Sequence, residues 1–312
     1  MNFRQMEYFI EVIKANGLTR AAENLYVSQS SISQMIKTLE DELGVCLLDR
    51  DNKRIKLTYA GRRFLALAQG VLRSRQMFLN EISDLNGTDS GEIALGISAR
   101  RAQHMLPLIL PRFVHQYPNV KLNITDRRNG IVEWEKSLQD GTYDLVIASF
   151  VNYDYNNEYV FLCDEYLCFI VGKTSSAAER LFGKDGPIPE RITLDKLVTE
   201  ELILTYHGYT ARLWVDKLFS SAGLVPKIAM EIHSSDLARS LAGTGMYCTI
   251  TSETEITKLL NPPEYENYYT IPIDHAEARR SISIAYNKSF YLSACHKAFI
   301  NMAVNIFGGI DS

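Results

Sequence analysis

The sequence predicts an α/β protein in three parts, and three observations support that prediction. The first 59 residues combine three short amphipathic helices with two short strands, and one uninterrupted helix follows over residues 60–85. From residue 91 onward strands alternate with helices, which is typical of a sheet covered by helices. A length of 312 residues also exceeds what one ordinary core contains, so more than one domain is expected.

Composition and the cysteine pattern argue against a disordered, membrane-spanning, secreted or metal-binding protein. With 46% hydrophobic and 22% charged residues the chain is typical of soluble globular proteins, and no apolar run approaches the ~20 residues that span a bilayer. Near the N-terminus, Glu7 and Glu11 lie in a helical pattern, and the basic start and small-residue cleavage site of a signal peptide are not found. A cytoplasmic location without membrane contact is therefore expected. Five scattered cysteines fit reduced thiols, and no cluster has metal-ligand spacing, so no metal or cofactor is predicted.

Three helices are predicted at the N-terminus. Apolar residues recur at helical spacing over residues 3–15, and Gly17 ends this first helix. Thr19 is predicted to cap a second helix, and Ser28 is predicted to cap a third. The third helix is expected to turn apolar residues inward, namely Ile32, Ile36, Leu39 and Leu43.

The start of the third helix leaves polar side chains without an apolar role. Glutamine and serine can hydrogen-bond base edges, and lysine and arginine can bind phosphate. Two short helices joined by a tight turn match the helix-turn-helix that docks in the major groove of DNA, and a plain three-helix bundle with a polar face is the alternative. The predicted DNA contacts on these helices are Thr19, Arg20, Ser28, Gln29, Ser30, Ser31, Ser33, Gln34 and Lys37.

A wing is predicted after Gly44, as two short strands at residues 45–48 and 54–58 around a basic turn. Its predicted contacts with the DNA backbone are Arg50, Lys53 and Arg54. Residues 50–75 hold eight lysines and arginines against one aspartate, although the whole chain has a net charge of −4. Such a basic stripe attracts phosphates, and a solvated charged face is the alternative.

The long helix carries an apolar seam that Arg75 interrupts. The seam consists of Leu65, Ala68, Leu72, Leu79 and Ile82. Because an exposed helix of this length must cover such a seam, a dimer through this helix is predicted. Packing against the chain's own C-terminal domain is the alternative. Residues 86–91 are a hinge by composition.

With these elements in place, the sequence resembles the LysR-type transcriptional regulators. The resemblance lies in residues 21–40, AAENLYVSQSSISQMIKTLE, and continues as ELGVCLLDR at 42–50 and LTYAG at 57–61. Ser30 stands where the family commonly has proline, and Cys46 where it usually has a basic or polar residue. The resemblance implies a homodimer or homotetramer that binds a pseudo-palindromic promoter site, contacts RNA polymerase and responds to a small-molecule effector.

The C-terminal two thirds are predicted to form two α/β lobes. The β-α-β-α-β order over residues 91–148 implies a parallel sheet, and a similar unit follows over residues 166–251. A helix is expected over residues 101–116, where Pro107 would be tolerated only near the first turn. The chain then returns to the first lobe from residue 268 onward.

Two lobes joined by two crossings resemble the periplasmic-binding-protein-like effector domain of the same family. The predicted organisation is a winged helix-turn-helix DNA-binding domain at 1–59, a linker (dimerisation) helix and hinge at 60–90, and an effector-binding domain at 91–312. Within the last domain, lobe one is predicted over 91–162 and 268–312, and lobe two over 163–267.

The cleft between the lobes is the predicted ligand site, because ligands in such folds bind beyond the carboxyl ends of strands, near helix N-termini. The predicted effector-binding residues are Ser98, Ala99, Arg100, Arg127, Ser149, Thr205, Tyr206, His207 and Thr251. Arg100 together with backbone N–H groups favours a carboxylate or another anion. The alternative is that the arginines here are merely solvated.

Two other functions are alternatives to regulation by an effector. No GxSxG, HExxH, P-loop or GxGxxG sequence occurs, so no enzyme is predicted, and a binding-protein-like enzyme would leave the first domain unexplained. A thiol-based redox-sensing regulator is the other alternative. Cys163 and Cys168 are the only close pair of cysteines, and five residues apart on one strand their side chains point to opposite faces.

Overall fold

The computed structural model describes residues 1–49, 55–87, 90–126, 131–151, 153–184, 186–253 and 267–308. The chain forms two compact units, Met1–Glu92 with Gln139–Thr142, and Ile93–Leu138 with Tyr143–Ser312. Each unit has its own hydrophobic core. Among the described helices, none combines the length and the apolar character needed to cross a bilayer.

The first unit begins with α1 (Phe3–Lys14), α2 (Leu18–Asn24) and α3 (Gln29–Leu43). The side chain of Ser28 accepts a hydrogen bond from the N–H of Ser31 and caps α3, which confirms the predicted cap. The cap predicted for Thr19 is wrong, because α2 begins after Gly17 and includes Thr19 in its first turn. The earlier start allows Leu18 to pack against the core of the first unit.

The core of the first unit lies where these three helices meet. Phe9 on α1 is fully buried, as are Ile32, Ile36 and Leu39 on α3, so the predicted inward face of α3 is confirmed over three turns. The prediction fails at Leu43, which is exposed because α3 ends there.

A two-stranded sheet follows, formed by β1 (Leu48–Asp49) and β2 (Lys56–Leu57) in antiparallel pairing. Within the described residues, the first strand starts at Leu48 and not at residue 45, and the second ends at Leu57 and not at residue 58. The carboxylate of Glu40 accepts hydrogen bonds from the N–H groups of Leu47 and Leu48 at 2.7 and 3.1 Å. These bonds fix the turn that leads from α3 into β1.

The long helix α4 (Tyr59–Leu85) begins in close contact with the strand that precedes it. The Thr58 hydroxyl accepts a hydrogen bond from the N–H of Gly61 at 2.9 Å and donates one to the carbonyl of Cys46 at 2.8 Å. A Cβ atom at Gly61 would lie 2.0 Å from the carbonyl oxygen of Leu47, so only glycine fits at this position.

The apolar seam predicted for α4 divides into two parts. Its N-terminal part packs on the core of the first unit through Leu65, Ala68 and Leu72. Its C-terminal part is exposed, with 44% of Leu79 and 37% of Ile82 accessible. Arg75, which interrupts the seam, lies 3.6 Å from the carboxylate of Glu7 on α1.

The second unit contains nine strands within the described residues, one of which begins just before the unit boundary. They are β3 (Ser90–Ile97), β4 (Asn119–Thr125), β5 (Leu145–Ala148), β6 (Asn157–Gly172), β7 (Glu201–Thr205), β8 (Lys227–Ile232), β9 (Cys248–Glu253), β10 (Tyr268–Pro272) and β11 (Arg279–Asn287). The helices are α5 (Ala99–Gln116), α6 (Ile131–Gln139), α7 (Ser176–Phe182), α8 (Thr210–Ser221), α9 (Ser235–Gly243) and α10 (Ala294–Phe307), with short 3-10 turns at Leu194–Lys196 and Ala276–Ala278.

These strands form one mixed sheet in the order β4-β3-β5-β11-β6-β9-β7-β8, and β10 also pairs with β6. The pairs β3–β5, β7–β8 and β7–β9 are parallel, as the alternating order predicts. The sheet as a whole is nevertheless mixed and not parallel throughout, because β11 runs antiparallel to β5 and β6, and β6 runs antiparallel to β9.

The 16-residue strand β6 connects the two halves of this sheet. We call the part packed around Ile97, Leu145 and Phe299 the first half, and the part packed around Phe169, Leu202 and Trp214 the second half. The predicted return of the chain to the first half at residue 268 is wrong. Ile271 and Ile273 lie in the second core, so the return begins with β11.

Two prolines lie inside α5, at Pro107 and Pro111, which contradicts the expectation for Pro107. Each proline lacks an N–H group, so the carbonyl four residues earlier loses its helical donor. The helix persists because it buries an apolar face, including Met105, Ile109 and Phe113, in the first core. Here burial outweighs local propensity.

Candidate functional site

The face formed by α2 and the start of α3 brings together the helical residues predicted to contact DNA. Exposed side chains on this face are Thr19, Arg20, Ser28, Gln29, Ser30, Ser31, Gln34 and Lys37, and Ser33 is half-buried. The hydroxyl of Ser28 lies 2.9 Å from that of Ser30 and 2.7 Å from that of Ser31. The glutamines and Lys37 extend a polar surface that a base edge or a phosphate can meet.

The turn between α2 and α3 adds a residue that the sequence analysis missed. Tyr26 is 95% exposed and has a left-handed backbone with φ of 54°. Its sequence signal is an aromatic residue inside the three-residue turn that joins α2 and α3. A phenolic hydroxyl beside a recognition helix can hydrogen-bond a phosphate.

The basic stripe predicted around the wing is described only in part. Arg50, Lys53 and Arg54 lie outside the described residues. Lys56, Arg62 and Arg63 are exposed. Arg73, which also belongs to the predicted basic stripe, is partly buried. Burial lowers its pKa to about 10, although the charge of Glu92 opposes that shift.

A cavity of about 160 Å³ opens in the second unit at the carboxyl ends of β3, β7 and β9. The N-termini of α5, α8 and α9 line it, at residues 98–101, 209–211 and 234–236. The side chains of Ser98 and Tyr209 do not cap α5 and α8 in the described structure, so first-turn N–H groups are left for a ligand or water. Three helix N-termini together favour negative charge.

Some predicted effector-binding residues line this cavity and others do not. The lining includes Ser98, Ala99, Arg100, Thr205 and Thr251. Ser149 is instead fully buried after β5. Tyr206 and His207 are not in the lining: Tyr206 packs its ring on His233, with centroids 4.6 Å apart, and His207 bonds to Arg212 at 2.9 Å. Arg127 lies outside the described residues.

Arg100 is not merely solvated, because two carboxylates bind it. Its Nη1 lies 2.6 Å from Oδ1 of Asp236, and its Nη2 lies 2.9 Å from Oε1 of Glu253. An anion that binds Arg100 must therefore share or replace one of these partners.

A second charge cluster borders the cavity. Arg101 and Arg280 both bind Oε2 of Glu165, at 2.7 and 2.5 Å. Burial alone would raise the pKa of Glu165, but the two guanidinium groups outweigh burial and hold that pKa below its ordinary value. Burial lowers the pKa of Arg280 to about 10, although Glu165 opposes that shift.

Charged side chains dominate the described lining of the cavity. Arg100, Arg101 and Arg280 line it together with two carboxylates, Glu165 and Asp236, and Glu253 beside the lining is a third carboxylate that binds Arg100. The lining also carries hydroxyl groups that the sequence analysis missed, on Tyr209, Thr210 and Ser235. The arginines, the hydroxyls and the helix N-termini suit a small anionic ligand with hydrogen-bond acceptors.

The close pair of cysteines, Cys163 and Cys168, is not arranged to form a disulfide in the described structure. Cys163 lies in the first core, whereas Cys168 packs with Ile170 and Ala242 in a separate cluster, so the two thiols occupy opposite faces of β6. Burial raises the pKa of Cys248 to about 12, which keeps this thiol protonated and unreactive.

Comparisons with known proteins agree with this architecture. A family model described as "Bacterial regulatory helix-turn-helix protein, lysR family" matches residues 3–62, and "LysR substrate binding domain" matches residues 86–307. The regulator ShiR of Corynebacterium glutamicum (strain R) is 29% identical over 98% of this chain and 99% of its own. The uncharacterized regulator YybE of Bacillus subtilis (strain 168) is 27% identical over 98% and 99%.

A solved structure of full-length CbnR in complex with its target DNA matches with a TM-score of 0.67 at 26% identity, over 98% of this chain and 99% of that chain. The two family models together cover most of the chain, from the helices that carry the exposed polar face to the unit that contains the cavity. The chain therefore belongs to the LysR family of transcriptional regulators, with an N-terminal helix-turn-helix DNA-binding domain and a C-terminal effector-binding domain.

Proposed function

We propose that this regulator binds promoter DNA as a homodimer or homotetramer and responds to a small anionic effector in the cavity of the second unit. The observation that carries the proposal is the convergence of three helix N-termini on a cavity that three arginines also line. Such a regulator acts in the cytoplasm, where its promoter DNA lies, and its response passes to RNA polymerase.

The size of the cavity limits the effector. A cavity of roughly 150 Å³ holds a benzene molecule, and this one encloses about 160 Å³. A carboxylate about the size of benzoate matches the volume, and its carboxylate group suits the arginines and the helix N-termini of the lining. The hydroxyls of Ser98, Thr205 and Thr251 are available to orient the rest of the molecule.

For DNA, we assign Gln29, Ser33 and Gln34 to base edges in the major groove. Arg20 and Lys37, with the basic wing residues, bind phosphates. This assignment follows from side-chain chemistry, since amides and hydroxyls can discriminate bases, whereas cations mainly supply affinity that depends on salt.

The exposed C-terminal part of α4 supports assembly through that helix. Phe78, Ile82 and Leu85 recur at spacings of four and three residues, and all three are exposed. A second copy of α4 would bury this face, because apolar area removed from water stabilises an interface.

The effector assignment is tested by thermal unfolding of the full-length protein with benzoate, phosphate, benzamide and benzylamine. Benzoate should raise the melting temperature, since a ligand at a hundredfold excess over its Kd stabilises by ~2.7 kcal/mol. Uncharged benzamide and cationic benzylamine have nearly the same shape and should not stabilise.

The variant Ala211→Phe locates the site, because it adds a ring at a position that lines the cavity. It should abolish the response to benzoate. If no anion stabilises the protein, or if benzamide stabilises it as much as benzoate, the anionic assignment is wrong. A benzoate response that persists in Ala211→Phe would place the site elsewhere.

A further inference from the structure

Arg100 connects the two halves of the second unit across the cavity. It lies in the first turn of α5, whose apolar face packs in the first core. Its Nη1 binds Asp236 on α9 at 2.6 Å, and its Nη2 binds Glu253 on β9 at 2.9 Å and the carbonyl of Ser252 at 3.3 Å. These partners belong to the second half.

The two carboxylates on Arg100 are held very differently. The side chain of Glu253 is only 4% exposed, and Arg239 also binds it. The side chain of Asp236 is 49% exposed, so water competes for its carboxylate. Glu253 therefore fixes the guanidinium group, while Asp236 occupies its other edge and can be exchanged.

The other arginines of the lining offer no comparable exchange. Arg101 and Arg280 share the carboxylate of Glu165, whose side chain is 5% exposed. Removing one partner from a buried ion pair leaves an uncompensated charge, which is costly. Arg100 is thus the cation at which an incoming anion can replace an internal one.

We propose that Asp236 is an internal stand-in for the effector: its carboxylate holds Arg100 in the ligand-free protein, and the anionic group of the effector displaces it. This inference rests on the proposed anionic effector and adds how the site is regulated. The exchange is carboxylate for carboxylate, so it conserves charge around Arg100 and favours a ligand whose planar carboxylate matches the guanidinium fork.

Displacement also supplies the differential affinity that any ligand-driven switch requires. While Asp236 binds Arg100, this ion pair connects α9 to α5. Once the ligand binds Arg100 in place of Asp236, that ion pair is broken. The effector thus binds preferentially to the arrangement in which α9 is released.

The test compares the full-length wild type with Asp236→Asn and Asp216→Asn. Asp216 provides a matched control, because it is one of two carboxylates on Arg212, which keeps Glu231 at 2.5 Å, and it does not line the cavity. Calorimetric titration with benzoate should give a Kd about tenfold lower for Asp236→Asn, since the competing anion is gone. Asp216→Asn should bind like the wild type.

Hydrogen exchange without ligand provides the second measurement. In Asp236→Asn, amides 234–243 of α9 should exchange several-fold faster than in the wild type, approaching the rate of the wild type saturated with benzoate. The Asp216→Asn variant should show wild-type exchange. A simple loss of negative charge would raise benzoate affinity but would not loosen α9.

The outcomes separate the two proposals. Equal benzoate affinity in the wild type and Asp236→Asn overturns the displacement of Asp236 and leaves the anionic cavity standing. If neither protein binds benzoate, the proposed effector class fails, and exchange alone decides whether Asp236 ties α9 to α5. Unchanged exchange in Asp236→Asn overturns that tie.

Discussion

The proposed DNA-binding face on α2 and α3 and the cavity of the second unit both present polar side chains, but they hold them differently. Ser28 bonds to Ser31 within one helical turn, and the neighbouring side chains are exposed. In the cavity, Arg100 and Arg101 are bound to carboxylates between 64 and 153 residues away in sequence. The first surface can meet its ligand with little rearrangement, whereas the second must exchange partners, which suits a switch.

The largest expected effect tests whether these two regions are independent. Phe9 is fully buried and packs edge-on against Phe64 with ring centroids 5.0 Å apart. Phe9→Ala should destabilise the first unit by about 3–5 kcal/mol through lost burial and a cavity. DNA binding should be lost, while benzoate binding by the second unit should persist.

Calorimetry of the full chain checks this prediction, with Phe299→Ala in the core of the first half as the reciprocal variant. Phe299→Ala should lower the temperature of the unfolding transition of the second unit and leave that of the first unit unchanged. If Phe9→Ala lowered both transitions equally, the two units would unfold cooperatively and the contrast between them would not extend to stability.

The next effect concerns the start of α4. Gly61→Ala places a Cβ atom 2.0 Å from the carbonyl oxygen of Leu47, so the backbone must shift and the first unit should lose about 1–3 kcal/mol. At Gly70, in the same helix, a Cβ atom would meet no other atom within 4 Å, so Gly70→Ala should stabilise by about 0.5–1 kcal/mol. Urea unfolding of both variants checks the opposite signs, and equal effects would refute a steric role for Gly61.

The sequence predicts a feature well when the interactions that form it lie close together along the chain, and poorly when they join distant residues. The inward face of α3 and the cap at Ser28 depend on spacings within one helix, so periodicity is enough to find them. The cap role predicted for Thr19 fails because α2 begins one residue earlier, at Leu18, whose tertiary contact with the core is not visible in the local sequence pattern. The prediction for Pro107 fails because burial of α5 overrides the missing hydrogen bond.

Only some of the contacts in the cavity could be predicted from sequence patterns. Strand ends correctly place Ser98 and Thr205 beside a common cavity, because topology brings carboxyl ends together. The partners of Arg100 could not be predicted, since Asp236 and Glu253 meet it only after the two halves of the sheet have formed. The mixed strand direction has the same origin, because β11 pairs antiparallel with the first part of β6, which lies far earlier in the chain.

A smaller effect sharpens the assignment of the DNA-binding face. On a site selected from random DNA with the wild-type protein, Gln29→Ala should lower affinity by about 1–3 kcal/mol, the value of a good base contact. Affinity for unrelated DNA should change little. Lys37→Ala should instead weaken binding to both DNAs equally and reduce the salt dependence. Titrations at several salt concentrations check this, and equal losses for Gln29→Ala would contradict base recognition.

The smallest expected effect lies in the cavity and depends on pH. Burial lowers the pKa of His104 below its ordinary value of 6.5, and the charge of Arg100 lowers it further. The unfolded chain therefore takes up a proton at His104 more readily than the folded protein does. At about pH 7.5 His104 is neutral in both states and does not affect the free energy of unfolding. As the pH falls through about 6.5, proton uptake by the unfolded chain lowers the stability of the fold.

Between about pH 7.5 and 5.5 the wild type should lose more stability in urea unfolding than His104→Gln. Saturating benzoate should shrink the difference, because a bound anion beside His104 favours its protonated form. Equal losses in the wild type and the variant would mean that the folded cavity does not disfavour a proton on His104.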